Sequence, residues 1–215
     1  MPPRALARGI LVALEGIDGA GKSTQAKYLT AIFRERGYTV ASLREPTLSP
    51  WGQRLRAAMA MGRRVLAPSQ ELDLFLQDRR YDVVAHLRPA LAACQLVLLD
   101  RYYFSTMAYQ GALGIEPESI RRLNETFAPR PDLVFILLIP PTEALQRIRQ
   151  RHGQSVDAFE REDYLQRVDR IFRTLQGPYI HPIAAEQSSQ MVTAVLQEKI
   201  QQCLDADPLI SSSSL

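Results

Sequence analysis

A three-layer α/β fold, with a five-stranded parallel sheet flanked by helices, is the architecture this sequence predicts. Three observations carry it. The runs GILVALEG, QLVLLD and DLVFILLIP are apolar throughout rather than alternating, which requires a sheet covered on both faces. These runs alternate with longer amphipathic segments, the pattern of right-handed βαβ crossovers. No Gly/Ser/Pro-rich linker and no internal repeat of about 20–50 residues divides the 215 residues, so residues 1–204 read as one domain.

The elements follow in order. GILVALEG is a buried strand closed by glycine. Lys22–Arg36 reads as a helix stopped by Gly37. TVASLRE is a second strand. Pro50–Met61 is a helix carrying Trp51, Leu55 and Met59. Ser69–Ala93 places Leu72, Phe75, Leu76, Val83, Leu87 and Leu91 at helical spacing, with Ser69 as the expected N-cap and Pro89 as the site of a kink or an early end. QLVLLD is the third strand and ends in Asp100, and DLVFILLIP is the fourth. Thr142–Arg151 and Phe159–Gln176 read as helices around the polar stretch HGQSVDA. Tyr179–Ala184 is a weak fifth strand and Ser189–Leu204 a closing helix. The end, DADPLISSSSL, reads as a disordered tail over 205–215.

Composition excludes several classes. Hydrophobic residues make up 46% and charged residues 23%, ordinary for a globular protein and unlike a disordered or coiled-coil chain. A net charge of +3 is too mild to mark a nucleic-acid binder. The apolar runs fall far short of the ~20 residues that span a bilayer. Cys94 and Cys203 make no disulfide framework, and MPPRALARG lacks an apolar signal core. The expectation is a cytoplasmic protein in a reducing compartment. Lysine is scarce: Lys22, Lys27 and Lys199 are the only three, and every other basic residue is arginine.

One of those lysines lies in Gly16-Ile17-Asp18-Gly19-Ala20-Gly21-Lys22-Ser23, which fits G-x-x-x-x-G-K-[ST] between a strand and a helix. The glycines let successive N–H groups turn inward as an anion nest at a helix N-terminus. Lys22 can then reach β- and γ-phosphates and Ser23 can hold Mg²⁺. No guanine-reading N-K-x-D follows, and the size favours a small kinase over a motor or transporter.

Asp100 ends a strand where ligands of open α/β sheets collect, placed to hold Mg²⁺ directly or through water. Arg101 beside it can steady charge on a moving phosphoryl group. Phe75 and Arg79 share a helical face. A ring one turn from a guanidinium suits a nucleoside monophosphate, though on spacing alone a core ring beside a solvated charge fits better. Arg147, Arg149 and Arg151 precede HGQSVDA, either as a solvated basic face or as a mobile lid, about 147–160, closing over ATP phosphates. His86, His152 and His181 lack metal-ligand spacing.

From about residue 9 to 200 the chain resembles the bacterial thymidylate kinases. The resemblance rests on EGIDGAGKST, on Arg44-Glu45-Pro46, on LFLQDR at Leu74–Arg79 and above all on DRYYFSTMAYQG from Asp100 to Gly111. Pro131–Phe135 and Phe159-Glu160 add to it. It implies a P-loop kinase fold with a short lid that phosphorylates dTMP with ATP and Mg²⁺, a step of dTTP synthesis, in a homodimer. It also implies roles. Gly16, Asp18, Gly19, Ala20, Gly21, Lys22, Ser23 and Thr24 would bind ATP, with Asp18 also at the sugar 3′-hydroxyl of the acceptor. Glu45 would lie near metal and acceptor, and Arg56 near the acceptor phosphate. Phe75 would stack on thymine, and Arg79 would bind the acceptor phosphate and base edge. Ser105, Thr106 and Gln110 would line the base pocket, Tyr109 would exclude a 2′-hydroxyl, and Arg101 would bridge the two phosphate groups. The metal set would be Ser23, Asp100 and Glu45, and the catalytic arginines Arg101, Arg147 and Arg151 beside Lys22.

Some members carry a basic residue inside the phosphate loop, whereas others take that charge from the lid. With Gly19 in the loop and Arg147, Arg149 and Arg151 near the lid, this chain resembles the second kind. It departs from the family's R-E-P-G-G-T at Thr47-Leu48-Ser49, from the lid's D-R-x-E at Ala158, and from a common histidine at Asp82. Arg161 or Arg151 would have to replace the missing lid arginine. These departures leave two other readings open, a kinase for another deoxynucleotide or deoxynucleoside and a catalytically weak nucleotide-binding regulator.

Overall fold

The structure, a computed structural model, describes residues 4–61, 65–152 and 158–206; of residues 151–161 no side chain is described. The sheet holds β1 (Ile10–Glu15), β2 (Val40–Arg44), β3 (Leu96–Asp100), β4 (Leu133–Leu138) and β5 (Ile180–Ala184), in spatial order β2-β3-β1-β4-β5. Every pairing is parallel. Helices cover both faces: α1 (Lys22–Glu35), α2 (Pro50–Ala60), α3 (Pro68–Asp82), α4 (Arg88–Ala92), α5 (Tyr103–Gly111), α6 (Pro117–Glu125), α7 (Pro141–His152), α8 (Ala158–Thr174) and α9 (Ser189–Asp205).

Burial follows strand position. β1 and β3 are buried at every residue, because both lie inside the sheet. β2 and β5 are its edges and expose part of their length. An edge is also where Pro182, which has no N–H to give, can sit in a strand. Register places the functional strand ends at one level: Asp100 lies opposite both Leu14 and Arg44, and Glu15 lies opposite Ile136. The loop after β1 therefore opens at the carboxyl edge, beside Asp100.

Three sequence expectations change. α3 begins at Pro68 with Ala67 as its N-cap, one residue before Ser69, and Gln70 Oε1 accepts from the Ala67 N–H at 3.0 Å. The helix expected to run through to Ala93 is broken by a π-helical turn, Val83–Leu87, in which Arg88 N–H reaches back to Val83 O. The wider turn ends just before Pro89, so that the residue without an N–H begins a fresh helix, where none is needed. Two helices, α5 and α6, arise in a stretch for which no element was expected. α5 is buried almost all round, so it shows no apolar stripe. α6 carried a readable start: Glu116 caps the Glu118 N–H at 2.9 Å, with Pro117 next. The expected tail beyond residue 206 lies outside the described residues, as do residues 153–157 of the expected lid.

Candidate active site

The phosphate loop is shaped by what its glycines touch. Gly16 has φ +134°, and a Cβ there would stand 2.4 Å from Leu137 O of β4. Gly19 has φ +87°, and its Cβ would meet Ala144 O of α7 at 2.5 Å. A loop that carried a basic side chain at Gly19 could not pack against α7 in this way. Lys22 folds over the loop, and its Nζ donates to Gly16 O at 2.9 Å and Ile17 O at 2.8 Å. Burial, with Arg101 nearby, pushes Lys22 down to about 7, against the pull of Asp18, Asp100 and Glu15. A phosphate in the nest would restore its full charge.

Ser23 lies in the first turn of α1, and its Oγ donates to Asp100 Oδ2 at 2.5 Å. The other oxygen, Asp100 Oδ1, is buried without a hydrogen-bond partner. An orphaned carboxylate oxygen beside a hydroxyl at the mouth of an anion nest fits a hard cation shared with nucleotide phosphates. No cluster of three or more His, Cys, Asp or Glu is placed to hold a metal ion among the described residues. Glu45, expected in the metal set, is engaged elsewhere.

Glu45 follows β2 and is 3% exposed. Both its oxygens accept from Arg79: Nε at 3.1 Å on Oε1 and 2.9 Å on Oε2, and Nη2 at 2.5 Å on Oε2. Arg79 also donates to Asn124 Oδ1 at 2.7 Å and Thr106 Oγ1 at 3.1 Å. It is the largest fully buried side chain of the described residues. Burial opposes its charge, but Glu45 outweighs that and holds the guanidinium up; burial pushes Glu45 itself up to about 8. Arg79 is thus neither a solvated charge nor a loose fork. Most of its N–H groups are already committed. Phe75, one turn earlier, is half-buried and stands outside the packed core.

The altered loop after Glu45 has its own anchor. Asp78 of α3 accepts from Thr47 N at 2.8 Å, Thr47 Oγ1 at 2.6 Å and Ser49 Oγ at 2.6 Å. Ser49 also caps α2 by accepting from Gly52 N at 3.0 Å. Hydroxyls thus tie down a loop where the family pattern has glycines. Arg56, expected at the acceptor phosphate, donates to Pro46 O at 2.7 Å and to Thr47 O, so it braces the same loop.

Arg101 joins the two halves of the site. Its backbone is left-handed at φ 74°, a conformation non-glycine residues rarely adopt. Its guanidinium donates to Asp18 in the phosphate loop and to Ser105 Oγ on α5 at 3.2 Å, and it lies 5.2 Å from the Tyr109 ring centre. Asp18 N–H in turn donates to Tyr109 Oη at 2.9 Å. Burial opposes the Arg101 charge, but Asp18, Tyr109, Asp100 and Glu15 together raise it. Glu15, fully buried at the end of β1, accepts from Tyr102 N at 2.8 Å and from Ser105 Oγ. That carboxylate fixes the turn that presents Arg101.

On the α7 side, Arg147 Nη1 donates to Gly19 O at 3.4 Å and Nη2 to Ala185 O at 3.3 Å, with Glu143 alongside. A cavity of about 190 Å³ lies here, lined by Gly21, Thr24, Arg147, Ala185 and Gln187 among others. Arg149 is exposed on another face of α7. The Arg151 and Arg161 side chains and the Ala158 position lie outside the described side chains. A larger groove, about 480 Å³, runs between α1 and the edge strand β2 and reaches Ser23 and Asp100.

Sequence reasoning missed Glu15, Glu71, Asp78, Asn124 and Gln187. A carboxylate closing an apolar run was a visible signal for Glu15. For Asn124 there was none, because α6 was not expected.

The comparisons agree with this geometry. The thymidylate kinase family model matches residues 14–196. The thymidylate kinase of Xanthomonas campestris pv. campestris (strain B100) is 46% identical over 184 residues, 86% of this chain and 79% of that protein. The thymidylate kinase of Desulfotalea psychrophila is 43% identical over 196 residues, 91% and 96% of the two chains. A probable thymidylate kinase of Archaeoglobus fulgidus is 44% identical over 163 residues, 76% and 80%. A phosphate loop bridged by Arg101 to a second half-site, matched over most of the chain by one family, makes this protein a member of the thymidylate kinase family.

Proposed function

We propose that the chain transfers the γ-phosphoryl group of ATP to dTMP, giving ADP and dTDP on the way to dTTP. The observation that carries this reading is the position of Arg101, hydrogen-bonded to Asp18 in the phosphate loop and to Ser105 on α5. One guanidinium therefore stands between a donor nest and an acceptor pocket.

In the reaction an oxygen of the dTMP phosphate attacks the γ-phosphorus in line as the bond to the ADP oxygen breaks. No protein nucleophile takes part, so positioning and charge neutralisation do the catalysis. The Gly16–Thr24 backbone, including Gly19, Ala20 and Gly21, cradles the ATP phosphates. Lys22 exchanges the Gly16 and Ile17 carbonyls for β- and γ-phosphate oxygens. Arg101 bridges both phosphate groups, and Arg147 with Arg151 closes from the lid. Ser23 and Asp100 would hold Mg²⁺, which would supply further charge neutralisation on the phosphates. Glu45 is assigned to orienting Arg79 rather than to the metal.

Phe75 stacks on the thymine ring, and Arg79, held by Glu45, Thr106 and Asn124, offers what remains of its fork to the acceptor. Tyr109 stands against the sugar, where a 2′-hydroxyl would clash. Arg56 acts through the loop it braces. The cavity at Thr24, Arg147 and Gln187 suits the base end of ATP. Leu48 at 79% exposed and Val84 at 70%, with Met59 and Tyr81, are large apolar side chains in and around α2 and α3 that a second copy could cover, which supports a homodimer. No helix among the described residues is long and apolar enough to cross a membrane.

ADP production with each of the four deoxynucleoside monophosphates tests this reading. It requires dTMP to be the best acceptor. A better acceptor among the other three, or ATP binding with no ADP formed, would refute it.

A further inference from the structure

We propose that Glu71 is a positioning residue that fixes which end of the Gln110 amide meets the nucleotide base, and so sets a preference for thymine over cytosine. Gln110, on α5, is 1% exposed. Its Nε2 donates to Glu71 Oε2 at 2.7 Å. An ionised carboxylate can only accept, so the nitrogen end of the amide is committed to Glu71 by chemistry, whichever way the side chain is first drawn. The oxygen end is then forced to the other side. There Gln110 Oε1 is buried and has no hydrogen-bond partner. A buried acceptor left unpaired is costly and calls for a donor from outside the protein.

The location says what that donor is. Glu71 lies one helical turn before Phe75 on α3, on the same face. Gln110 follows Tyr109 and lies one turn beyond Thr106, which accepts from Arg79. The orphaned oxygen therefore belongs to the same pocket as the ring assigned to stack on the base. A thymine edge offers one ring donor, N3–H, between two carbonyl acceptors. Cytosine presents a lone pair at N3, which would face the Oε1 lone pair. A pinned acceptor welcomes the first base and repels the second, and discrimination is strongest where a buried polar group would be left unpaired. This role for Glu71 rests on the dTMP reading and deepens it.

The test compares binding of dTMP and of 5-methyl-2′-deoxycytidine monophosphate, which differ only at the base edge, by calorimetry. In Glu71→Gln the new amide can pair with Gln110 in either sense, so Gln110 is free to turn its nitrogen toward the base. The methylcytosine nucleotide is expected to bind about tenfold tighter than to the wild type, while dTMP changes by less than about twofold. Glu71→Ala, at the partly exposed first turn of α3, should move the ratio in the same direction, and Glu71→Asp should retain the wild-type preference. Loss of packing would weaken both ligands, so a gain for one cannot come from structural damage. No gain in Glu71→Gln and Glu71→Ala overturns the role of Glu71 while leaving the dTMP reading intact. A wild type that shows no preference for dTMP over the methylcytosine nucleotide overturns both.

Discussion

Ser23 Oγ donates to Asp100 Oδ2 at 2.5 Å, tying the first turn of α1 to the last residue of β3 and leaving Asp100 Oδ1 buried and unpaired. If the pair shares Mg²⁺ with ATP, Asp100→Asn keeps the shape but removes the charge. Half-maximal rate should then need about tenfold more Mg²⁺, with little change in melting temperature. An unchanged Mg²⁺ titration would take the metal away from this pair.

Asp78 is 1% exposed and accepts three hydrogen bonds from Thr47 and Ser49. Asp78→Ala leaves those donors buried and unpaired. Urea unfolding should show a loss of about 3 kcal/mol, the scale of charged hydrogen bonds left half-made, and the KM for dTMP should rise more than that for ATP. Gly52→Ala should also destabilise, because its Cβ would stand 2.1 Å from Thr47 O. If Asp78→Ala unfolds like the wild type, the loop has another anchor.

Gly19 faces Ala144 O so closely that a side chain must push α7 away. Gly19→Arg, which copies the loop charge of other family members, should therefore impair rather than supplement this enzyme. The expected effect is at least a tenfold fall in kcat/KM for ATP, on the scale of a strained left-handed residue. Steady-state kinetics with ATP varied would show it, and retained efficiency would mean that α7 yields freely.

Burial raises Glu15 from 4.5 to about 7, against the pull of Ser105, Arg101, Tyr102 and Lys22. The native state thus holds this proton more tightly than the unfolded chain. Its contribution to stability is full below pH 4.5 and is lost as the pH rises through 7. Lys22, lowered from 10.5 to about 7, runs the other way: its contribution is full above pH 10.5 and is lost as the pH falls through 7. Glu15→Gln removes the first limb. In thermal melts without nucleotide, the variant should gain on the wild type steadily from pH 4.5 to 7. A constant difference across that range would place the Glu15 proton elsewhere.

Much of this was legible in the sequence because it is local. G-x-x-x-x-G-K-S specifies a nest wherever a strand precedes it and a helix follows, and continuous apolar runs specify buried parallel strands. What escaped was mutual. Nothing in Thr47 or Ser49 says that Asp78, about 30 residues on, will hold them. Arg79 reads as a surface charge on spacing because its partner, Glu45, comes from another element. α5 escaped for a different reason: a helix buried all round carries no periodic signal. The pairing of Glu45 with Arg79 escaped in the same way, because the two residues are 34 positions apart.

In the proposed reaction fixed positive charge, above all Arg101 between Asp18 and Ser105, stabilises the phosphoryl group in transfer. The direct measurement is the single-turnover rate of dTDP formation from bound ATP and dTMP in Arg101→Ala, with both dissociation constants and the circular dichroism spectrum recorded. The expected rate is at least about 100-fold below wild type, with the fold intact and both substrates still bound at saturating concentration. Lys22→Ala should behave alike. A near-normal rate in Arg101→Ala would contradict this role for Arg101.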